Sequence, residues 1–273
     1  MLTQTEKGRA FLDLHERDRA FIIPNPWDSG TAKLLEHLGF QSLATTSAGY
    51  AFSTGHPDNT IERQEMMAHV AAIVSATNLP VSADLENGYG DSPEIVAETI
   101  RLAAAAGAVG GSIEDMSRQP GHPIYPKAHA VERVFAAAEA IQAFPFAFIL
   151  TARAENYLAG QPDLADTIAR LQAYQEAGAD VLYAPGLTSK ADIAAVVSSV
   201  DRPVNVVMGL QGVQLSLEEL SEMGVRRVSV GSALSRAALG AFLRAAREMR
   251  EQGTFGFAEE TVRYRDLNDI FAE

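Results

Sequence analysis

Short apolar runs rich in β-branched residues alternate along the chain with longer segments in which Ala, Leu and Glu recur at helical spacing. Runs of the first kind are typical of buried strands, and segments of the second kind are typical of helices with one apolar face. The eight predicted strands are Phe21–Pro24, Ser42–Thr46, Val81–Asp84, Gly110–Glu114, Phe146–Arg153, Val181–Ala184, Val204–Val207 and Arg227–Gly231.

A helical segment follows each predicted strand, and several of these segments end in a glycine before the next strand begins. Ser92 and Pro93 are residue types that begin helices, and Gly107 suits the left-handed position that closes one. The predicted helices are Ala32–Leu38, Arg63–Ala76, Pro93–Ala106, Val131–Phe144, Asp163–Ala177, Lys190–Ser198, Leu217–Met223 and Leu234–Gln252. Repeated units of helix, glycine and strand indicate parallel strands joined by crossover helices.

Eight such units predict an α/β protein with a (β/α)8 TIM barrel, which commonly needs about 250 residues. An open doubly wound sheet usually has a Gly-rich first turn, which this chain lacks. The barrel is predicted to be one catalytic domain over residues 1–253. Residues 254–273 are predicted to form a C-terminal extension of one or two short helices.

Composition narrows the class of protein. The chain has 22 Lys and Arg against 35 Asp and Glu, a net charge of −13, so we expect no nucleic-acid partner. It has no cysteine, which excludes disulfides, zinc–thiolate sites and cysteine nucleophiles. The N-terminal region is charged and no apolar run is long enough to span a bilayer, so we expect a cytoplasmic enzyme with no membrane partner.

Carboxylates stand at the ends of two neighbouring predicted strands. Asp84 and Glu86 follow the third strand, and Glu114 ends the fourth. Active sites of barrels lie at the C-terminal ends of the strands, so these acids are expected to converge and to need a cation among them. Oxygen ligands without nearby His or Cys favour Mg²⁺ or Mn²⁺. The structural alternative is that the acids cap the N-termini of helices.

Two further features suit an anionic ligand. Arg153 ends the apolar strand FAFILTAR, and a guanidinium there suits the carboxylate or phosphate of a substrate. The alternative is a structural ion pair with Glu114 or Glu155. Ser47 and the backbone N–H groups around Gly49, in the phrase SAGY, form a candidate anion nest.

Five phrases then occur in order: PNPWDSGTAKLLEHLGF, TTSAGYAFSTGHPD, SADLENGYGD, GSIED and TARAENYLAG. On these phrases the chain resembles the isocitrate lyase/phosphoenolpyruvate mutase superfamily over almost its whole length. The resemblance implies a barrel that forms homodimers or homotetramers, often with the last barrel helix swapped between subunits. It also implies bond making or breaking, C–C or P–C, next to a carboxylate through an enolate held on Mg²⁺.

The resemblance also implies roles for individual residues. It makes Asp84, Glu86 and Glu114 the metal site and makes Asp58 a ligand of a metal-bound water. Substrate binding is assigned to Trp27, Ser47, Ala48, Gly49, Tyr50, Arg153 and Asn205. The candidate catalytic residues are Arg153, Asp58, His122 and Tyr89. For His122 and Tyr89 the alternatives are a solvated loop histidine and a tyrosine that only packs.

The chain departs from the lyases of this superfamily at two places. Pro120 stands where their K-[KR]-C-G-H loop has a cysteine, and Ala184, Pro185 and Gly186 stand where they have a glutamate. These departures favour a branch that lacks the loop cysteine. We expect the loop between Met116 and Lys127 to act as a lid that helps to set substrate length.

The leading hypothesis is a Mg²⁺-dependent carbon–carbon lyase or decarboxylase. Its substrate would be a small 2-oxo or 2-hydroxy dicarboxylate, of the oxaloacetate or substituted malate type. One alternative is a mutase or hydrolase that acts on the P–C bond of phosphoenolpyruvate or a phosphonate. The other is a non-catalytic protein that binds a 2-oxo acid such as 2-oxoglutarate.

Overall fold

The computed structural model describes residues 2–210 and 214–272. Its eight barrel strands are β1 (Phe21–Ile23), β2 (Leu43–Ala44), β3 (Val81–Asp84), β4 (Gly110–Glu114), β5 (Ile149–Arg153), β6 (Val181–Tyr183), β7 (Val204–Val207) and β8 (Arg227–Ser229). Successive strands from β2 to β8 pair in parallel, and β8 pairs with β1. The N–H of Ala44 donates to the carbonyl of Pro24 at 3.1 Å, which links β1 to β2 and closes the ring. The predicted barrel is therefore confirmed.

The helices surround this ring. They are α1 (Gln4–His15), α2 (Ser29–His37), α3 (Ser47–Ser53), α4 (Arg63–Ala76), α5 (Pro93–Ala105), α6 (Lys127–Gln142), α7 (Leu164–Glu176), α8 (Lys190–Ser198), α9 (Leu217–Glu222), α10 (Ala233–Gln252) and α11 (Tyr264–Ala272). A 3₁₀ helix (Gly256–Glu260) precedes α11. Within the described ranges, no helix is both long enough and apolar enough to cross a membrane.

Most predicted elements agree with the structure to within a few residues, but three elements were not predicted. α1 begins at a capping box formed by Thr3 and Glu6, and α3 begins at the side chain of Thr46. The third is an antiparallel hairpin (Met116–Gln119 with His122–Ile124) after β4, which we call the lid hairpin. It lies within the segment that the sequence predicts to be a lid.

α1 closes the bottom of the barrel. Phe11 and Leu14 pack in one apolar cluster with Phe21, Ile149 and Val181, which begin β1, β5 and β6. The N-terminal ends of the strands are therefore covered by apolar side chains, whose burial stabilises the fold. The polar residues of the site are left at the opposite end of the strands.

His15 is buried beside this apolar cluster, which we call the plug. Its ring makes edge contacts with Phe11 and Phe21, and its Nδ1 is 2.8 Å from the carbonyl of Phe11. Burial lowers the pKa of His15 to about 3, and the positive charge of Arg227 adds to this effect. The ring is therefore neutral in the folded protein at pH 7.

We expect His15 to make the protein acid-sensitive. The unfolded chain takes up a proton near pH 6.5 and the folded chain does not, so stability falls as the pH drops from 6.5 toward 3. The cost is about 1.4 kcal/mol per pH unit for one such histidine. Between pH 6.5 and 5, the free energy of unfolding of His15→Phe, measured with urea, should therefore fall by about 2 kcal/mol less than that of the wild type. Equal losses in the two proteins would contradict this expectation.

α10 differs from the other barrel helices. It is the longest helix of the described chain, but Ser235 is its only buried residue. Leu239, Phe242 and Leu243 lie along one face of the helix and are 38%, 68% and 48% exposed. An apolar helix face of this kind is typical of a contact surface.

Candidate active site

Arg153 is the centre of the site. Its Nη1 lies 3.2 Å from Asp84, its Nη2 lies 2.9 Å from Glu114 and its Nε lies 2.7 Å from Glu155. Glu114 and Arg153 are direct neighbours in the pairing of β4 with β5, and Asp84 ends the next strand, β3. The structure thus brings Asp84, Glu114 and Arg153 together at the C-terminal mouth. The ion pairs to Glu114 and Glu155, predicted as the structural alternative, are both present.

α3 holds Asp84 in place. Ser47 donates its backbone N–H at 3.0 Å and its hydroxyl at 2.8 Å to Oδ2 of Asp84. Gly49 has no room for a side chain, because a Cβ there would lie 2.6 Å from a methyl group of Thr46 and 3.2 Å from Cβ of Trp27. The Ser47 donors, predicted to bind a substrate anion, therefore bind an acid of the protein in this structure.

Glu86 lies on the loop after β3 and contacts the lid hairpin. Its Oε2 accepts a short hydrogen bond from Nη2 of Arg118, which also donates to Oδ1 of Asn59 at 3.0 Å. Its Oε1 is buried and has no hydrogen-bond partner. Glu86, Tyr89, Asn59 and Arg118 are the described non-glycine residues with left-handed φ, from 50° to 63°. Such strained backbone clusters at functional sites.

The charges of the site are unbalanced. Burial raises the pKa of Glu114, against the opposing charge of Arg153, and burial likewise raises the pKa of Glu155. Burial raises the pKa of Glu86 to about 7, although Arg118 opposes the shift. Together with Asp84, four carboxyl groups share two guanidinium groups. This surplus of acid attracts further positive charge.

The donor set fits a hard divalent cation in its chemistry. Asp84, Glu86 and Glu114 supply only oxygen, and Oε1 of Glu86 is a buried acceptor with no partner. Among residues 2–210 and 214–272, no three Asp, Glu or His side chains lie close enough to make a ready-formed metal site. Arginines hold the predicted ligands instead: Arg153 pairs with Asp84 and Glu114, and Arg118 pairs with Glu86. The metal assignment of these acids stays a prediction.

Of the other predicted catalytic residues, two lie near the acids. Tyr89 has a buried hydroxyl without a hydrogen-bond partner. Burial raises the pKa of Tyr89, and the charge of Glu86 adds to it. Asp58 belongs to an exposed loop, but burial of its carboxyl group and the charge of Asp84 raise its pKa. His122 is exposed on the lid hairpin.

The predicted substrate-binding residues divide into two groups. Asn205 lines a cavity inside the barrel, together with Arg153 and Asp84. Tyr50 turns toward α4: its hydroxyl donates to Glu65 at 3.1 Å and its ring stacks on that of His69 at 3.9 Å. Trp27, which packs against α3, and Ala48, which belongs to α3, are half-buried, and neither lines this cavity.

Sequence reasoning missed the residues that hold the site from behind. Asp115 accepts hydrogen bonds from the backbone N–H of Glu155 at 2.8 Å, from Arg170 at 3.0 Å and from Tyr174 at 2.6 Å. Glu155 in turn holds Nε of Arg153. The phrase GSIED contains Asp115, but nothing in the sequence pairs it with α7, which lies about 50 residues later.

The cavity at the mouth extends into the barrel and has a volume of about 60 Å³. Its polar lining consists of Asn25, Thr45, Ser82, Asp84, Ser112, Arg153, Tyr183, Asn205, Arg227 and Ser229. This space exceeds the roughly 10–15 Å³ that one water needs, and it has room for a small polar ligand. The fold and this mouth define the class of protein: a (β/α)8 enzyme with acids gathered around an arginine.

The chain belongs to the phosphoenolpyruvate phosphomutase family, whose model matches residues 11–250. This confirms the predicted isocitrate lyase/phosphoenolpyruvate mutase superfamily, whose members are lyases or mutases.

Three similar proteins illustrate the range of activities described for proteins similar to this chain. A Burkholderia cenocepacia crystal structure, provisionally described as a lyase/mutase, is 64% identical with a TM-score of 0.97, over 99% of this chain and 97% of that one. Oxaloacetate decarboxylase of a Marinomonas species is 28% identical over 98% of this chain and 94% of its own length. Phosphonopyruvate hydrolase, solved with oxalate and Mg²⁺, has the same fold with a TM-score of 0.87, at 23% identity over 99% of this chain and 95% of that one.

Proposed function

We propose that the protein is a Mg²⁺-dependent carbon–carbon lyase or decarboxylase of a small 2-oxo or 2-hydroxy dicarboxylate. Oxaloacetate and substituted malates are the expected substrate types. The observation that carries the proposal is the meeting of Asp84, Glu114 and Arg153 at the barrel mouth, where Asp84 and Arg153 also line the cavity. Such a mouth suits a ligand that binds a metal cation held by the acids and that places its own carboxylate on the arginine.

Asp84, Glu86 and Glu114 would hold the metal, since all three supply oxygen and Glu86 keeps a free buried acceptor. A divalent cation bound there supplies positive charge where negative charge develops as the bond breaks. Members of the superfamily use divalent metals, which supports this assignment.

Arg153 has donors left for the substrate. A guanidinium has five N–H groups, and the contacts to Asp84, Glu114 and Glu155 use three of them. The remaining N–H groups on Nη1 and Nη2 can bind a substrate carboxylate. Because Glu155 fixes Nε, the plane of the guanidinium is set before substrate arrives, which lowers the entropy cost of binding.

Tyr89 is the proton donor that the proposal favours. When oxaloacetate loses CO₂, the electron pair of the broken bond stays on the carbon next to the keto group. When a malate is cleaved, its hydroxyl loses a proton and becomes the new keto group, and the electron pair goes to the carbon next to the other carboxylate. In both reactions that carbon must gain a proton. The hydroxyl of Tyr89 is buried among the acids, and its raised pKa keeps it protonated. It can thus serve in place of the cysteine that Pro120 replaces.

The test is a screen for pyruvate release from oxaloacetate, malate and alkylated malates, with Mg²⁺ or with EDTA. We expect pyruvate, or the matching 2-oxo acid, to form with enzyme and Mg²⁺ well above the rate of the Mg²⁺-only blank, in which oxaloacetate decarboxylates slowly by itself, and EDTA should abolish the difference. Phosphonopyruvate followed by ³¹P NMR is the parallel arm. Phosphate release there without carbon–carbon cleavage would replace the proposal with P–C chemistry. Binding of 2-oxoglutarate with no turnover of any acid would replace it with a binding protein.

We also propose that the protein is a homo-oligomer that assembles through α10. The apolar face of α10 is exposed, whereas α5 buries a continuous face that includes Val96, Ile100 and Ala103. A second copy can cover the exposed faces reciprocally, as in a helix swap, because twofold contacts are self-complementary.

Charge on this face should separate the subunits. We expect Phe242→Glu combined with Leu243→Glu to run as a monomer when mass is measured by light scattering after size exclusion. Wild type should run as a dimer or tetramer. Arg244→Glu is the control, because it places a new charge on a neighbouring, already polar position of the same helix. A wild-type monomer would contradict the assembly proposal.

A further inference from the structure

Arg227 is a buried cation without a carboxylate partner in the described chain. It begins β8, its side chain points into the barrel and the residue is 5% exposed. Its Nε donates to Oδ1 of Asn205 at 2.9 Å, and its Nη2 donates to Oγ1 of Thr151 at 2.8 Å. Its Nη1 is buried and has no hydrogen-bond partner. Arg153, by contrast, contacts three acids.

The unpaired charge of Arg227 destabilises the folded protein unless an anion or a hydrogen-bond acceptor binds it. A buried ion without a counter-charge loses its hydration and gains no ion pair in return. Burial lowers the pKa of Arg227 to about 10, so the group is still charged at pH 7. The side chains that face it, from Asn205, Thr151, Tyr183 and the plug residue His15, are all neutral.

Arg227 lines the same cavity as Arg153 and Asp84. The cavity lining carries two guanidinium groups, those of Arg153 and Arg227, and one carboxylate, that of Asp84. Asp84 pairs with Arg153. Arg227 begins β8, at the opposite end of the strand from the mouth, and no carboxylate of the lining pairs with it.

We propose that Arg227 forms an anion subsite at the floor of the cavity, and that it binds the far carboxylate of a dicarboxylate substrate. The near end of the substrate lies against Asp84 and Arg153, so this assignment rests on the proposed function. A carboxylate on the guanidinium of Arg227 pairs this charge. Arg227 would then select dicarboxylates over the corresponding monocarboxylates.

A water is the competing occupant. Nε2 of His15 is also buried without a partner, and the charge of Arg227 lowers the pKa of His15, so the two groups lie near each other. One water could accept from Arg227 and donate to His15. The experiment must therefore separate a bound carboxylate from a bridging water.

Malate and lactate are the matched probes, because they differ only in the far carboxylate. Their Kd values are measured by calorimetry in Mg²⁺ for wild type, Arg227→Gln and Arg227→Lys. We expect wild type to prefer malate roughly 10- to 100-fold, the gain from one charged hydrogen-bonded pair. Arg227→Gln should lose that preference but keep its lactate affinity, which also shows that it is folded. Arg227→Lys should keep part of the preference.

Two results would overturn the subsite: wild type without a preference for malate, or Arg227→Gln with the wild-type preference. A crystal structure of wild type with malate needs no variant. It should show one carboxylate on the guanidinium of Arg227, and a water between Arg227 and His15 with malate elsewhere would refute the proposal. Malate selectivity without any turnover would leave the subsite standing and remove the lyase. Turnover by the wild type, combined with a ratio of malate to lactate Kd values that Arg227→Gln leaves unchanged, would support the lyase and remove the subsite.

Discussion

Asp84→Asn is expected to lower kcat/KM by about 1,000-fold or more, which corresponds to about 4 kcal/mol of transition-state stabilisation. The amide keeps the shape of the side chain and can still accept the two hydrogen bonds from Ser47. It loses the negative charge that faces Arg153 and that would bind the metal. The fold should survive, so a loss of activity reports on chemistry.

The measurements are turnover of whichever acid proves active and the Mn²⁺ affinity measured by electron paramagnetic resonance. Affinity for Mn²⁺ should fall together with activity. Asp18→Asn is the matched control, because Asp18 is exposed and far along the chain from the mouth. An Asp84→Asn enzyme with wild-type turnover and wild-type Mn²⁺ binding would rule out this aspartate as a metal ligand.

Arg153→Met should destabilise the protein by about 3–5 kcal/mol, because it leaves buried carboxylates without their shared partner. The side chains of Glu114 and Glu155 are only 8% and 1% exposed, so water cannot replace the guanidinium. The loss should shrink when Glu114→Gln is added, since one buried charge is then gone. Urea unfolding at pH 7.5 measures both effects.

The control for this experiment is Arg101→Met. Arg101 pairs with Glu98 at 3.4 Å on the exposed face of α5, and such pairs contribute only about 0–1 kcal/mol. If Arg153→Met were no more destabilising than Arg101→Met, the ion pairs at the mouth would not stabilise the fold.

The barrel could be predicted because its strands are short, continuous apolar runs that do not have the spacing of an amphipathic helix. The glycines between helix and strand then placed the crossovers. α1 was missed because its apolar residues are few among charges, although Thr3 and Glu6 have the spacing of a capping box. α3 was missed because SAGYAFS is short and begins directly at a strand end, where a loop was expected.

The same contrast holds within the site. Asp84, Glu114 and Arg153 are strand-end residues, so barrel geometry alone brings them together. The contact between Glu86 and Arg118 depends on left-handed backbone in the loop after β3 and in the lid hairpin, which residue spacing does not encode. Arg227 is at the start of its strand, and a sequence does not show that a side chain there reaches a cavity that opens at the other end.

The apolar plug made by α1 has a consequence for the order of events in catalysis. With the lower end of the barrel sealed by α1, the interior formed by the described residues is a well that opens at the mouth, and a molecule that reaches Arg227 from there passes Arg153. A cleavage that splits one molecule into two would leave one fragment beneath the other. If the proposed cleavage occurs there, we expect the upper fragment to depart first and the deeper product to inhibit by occupying the bottom of the well.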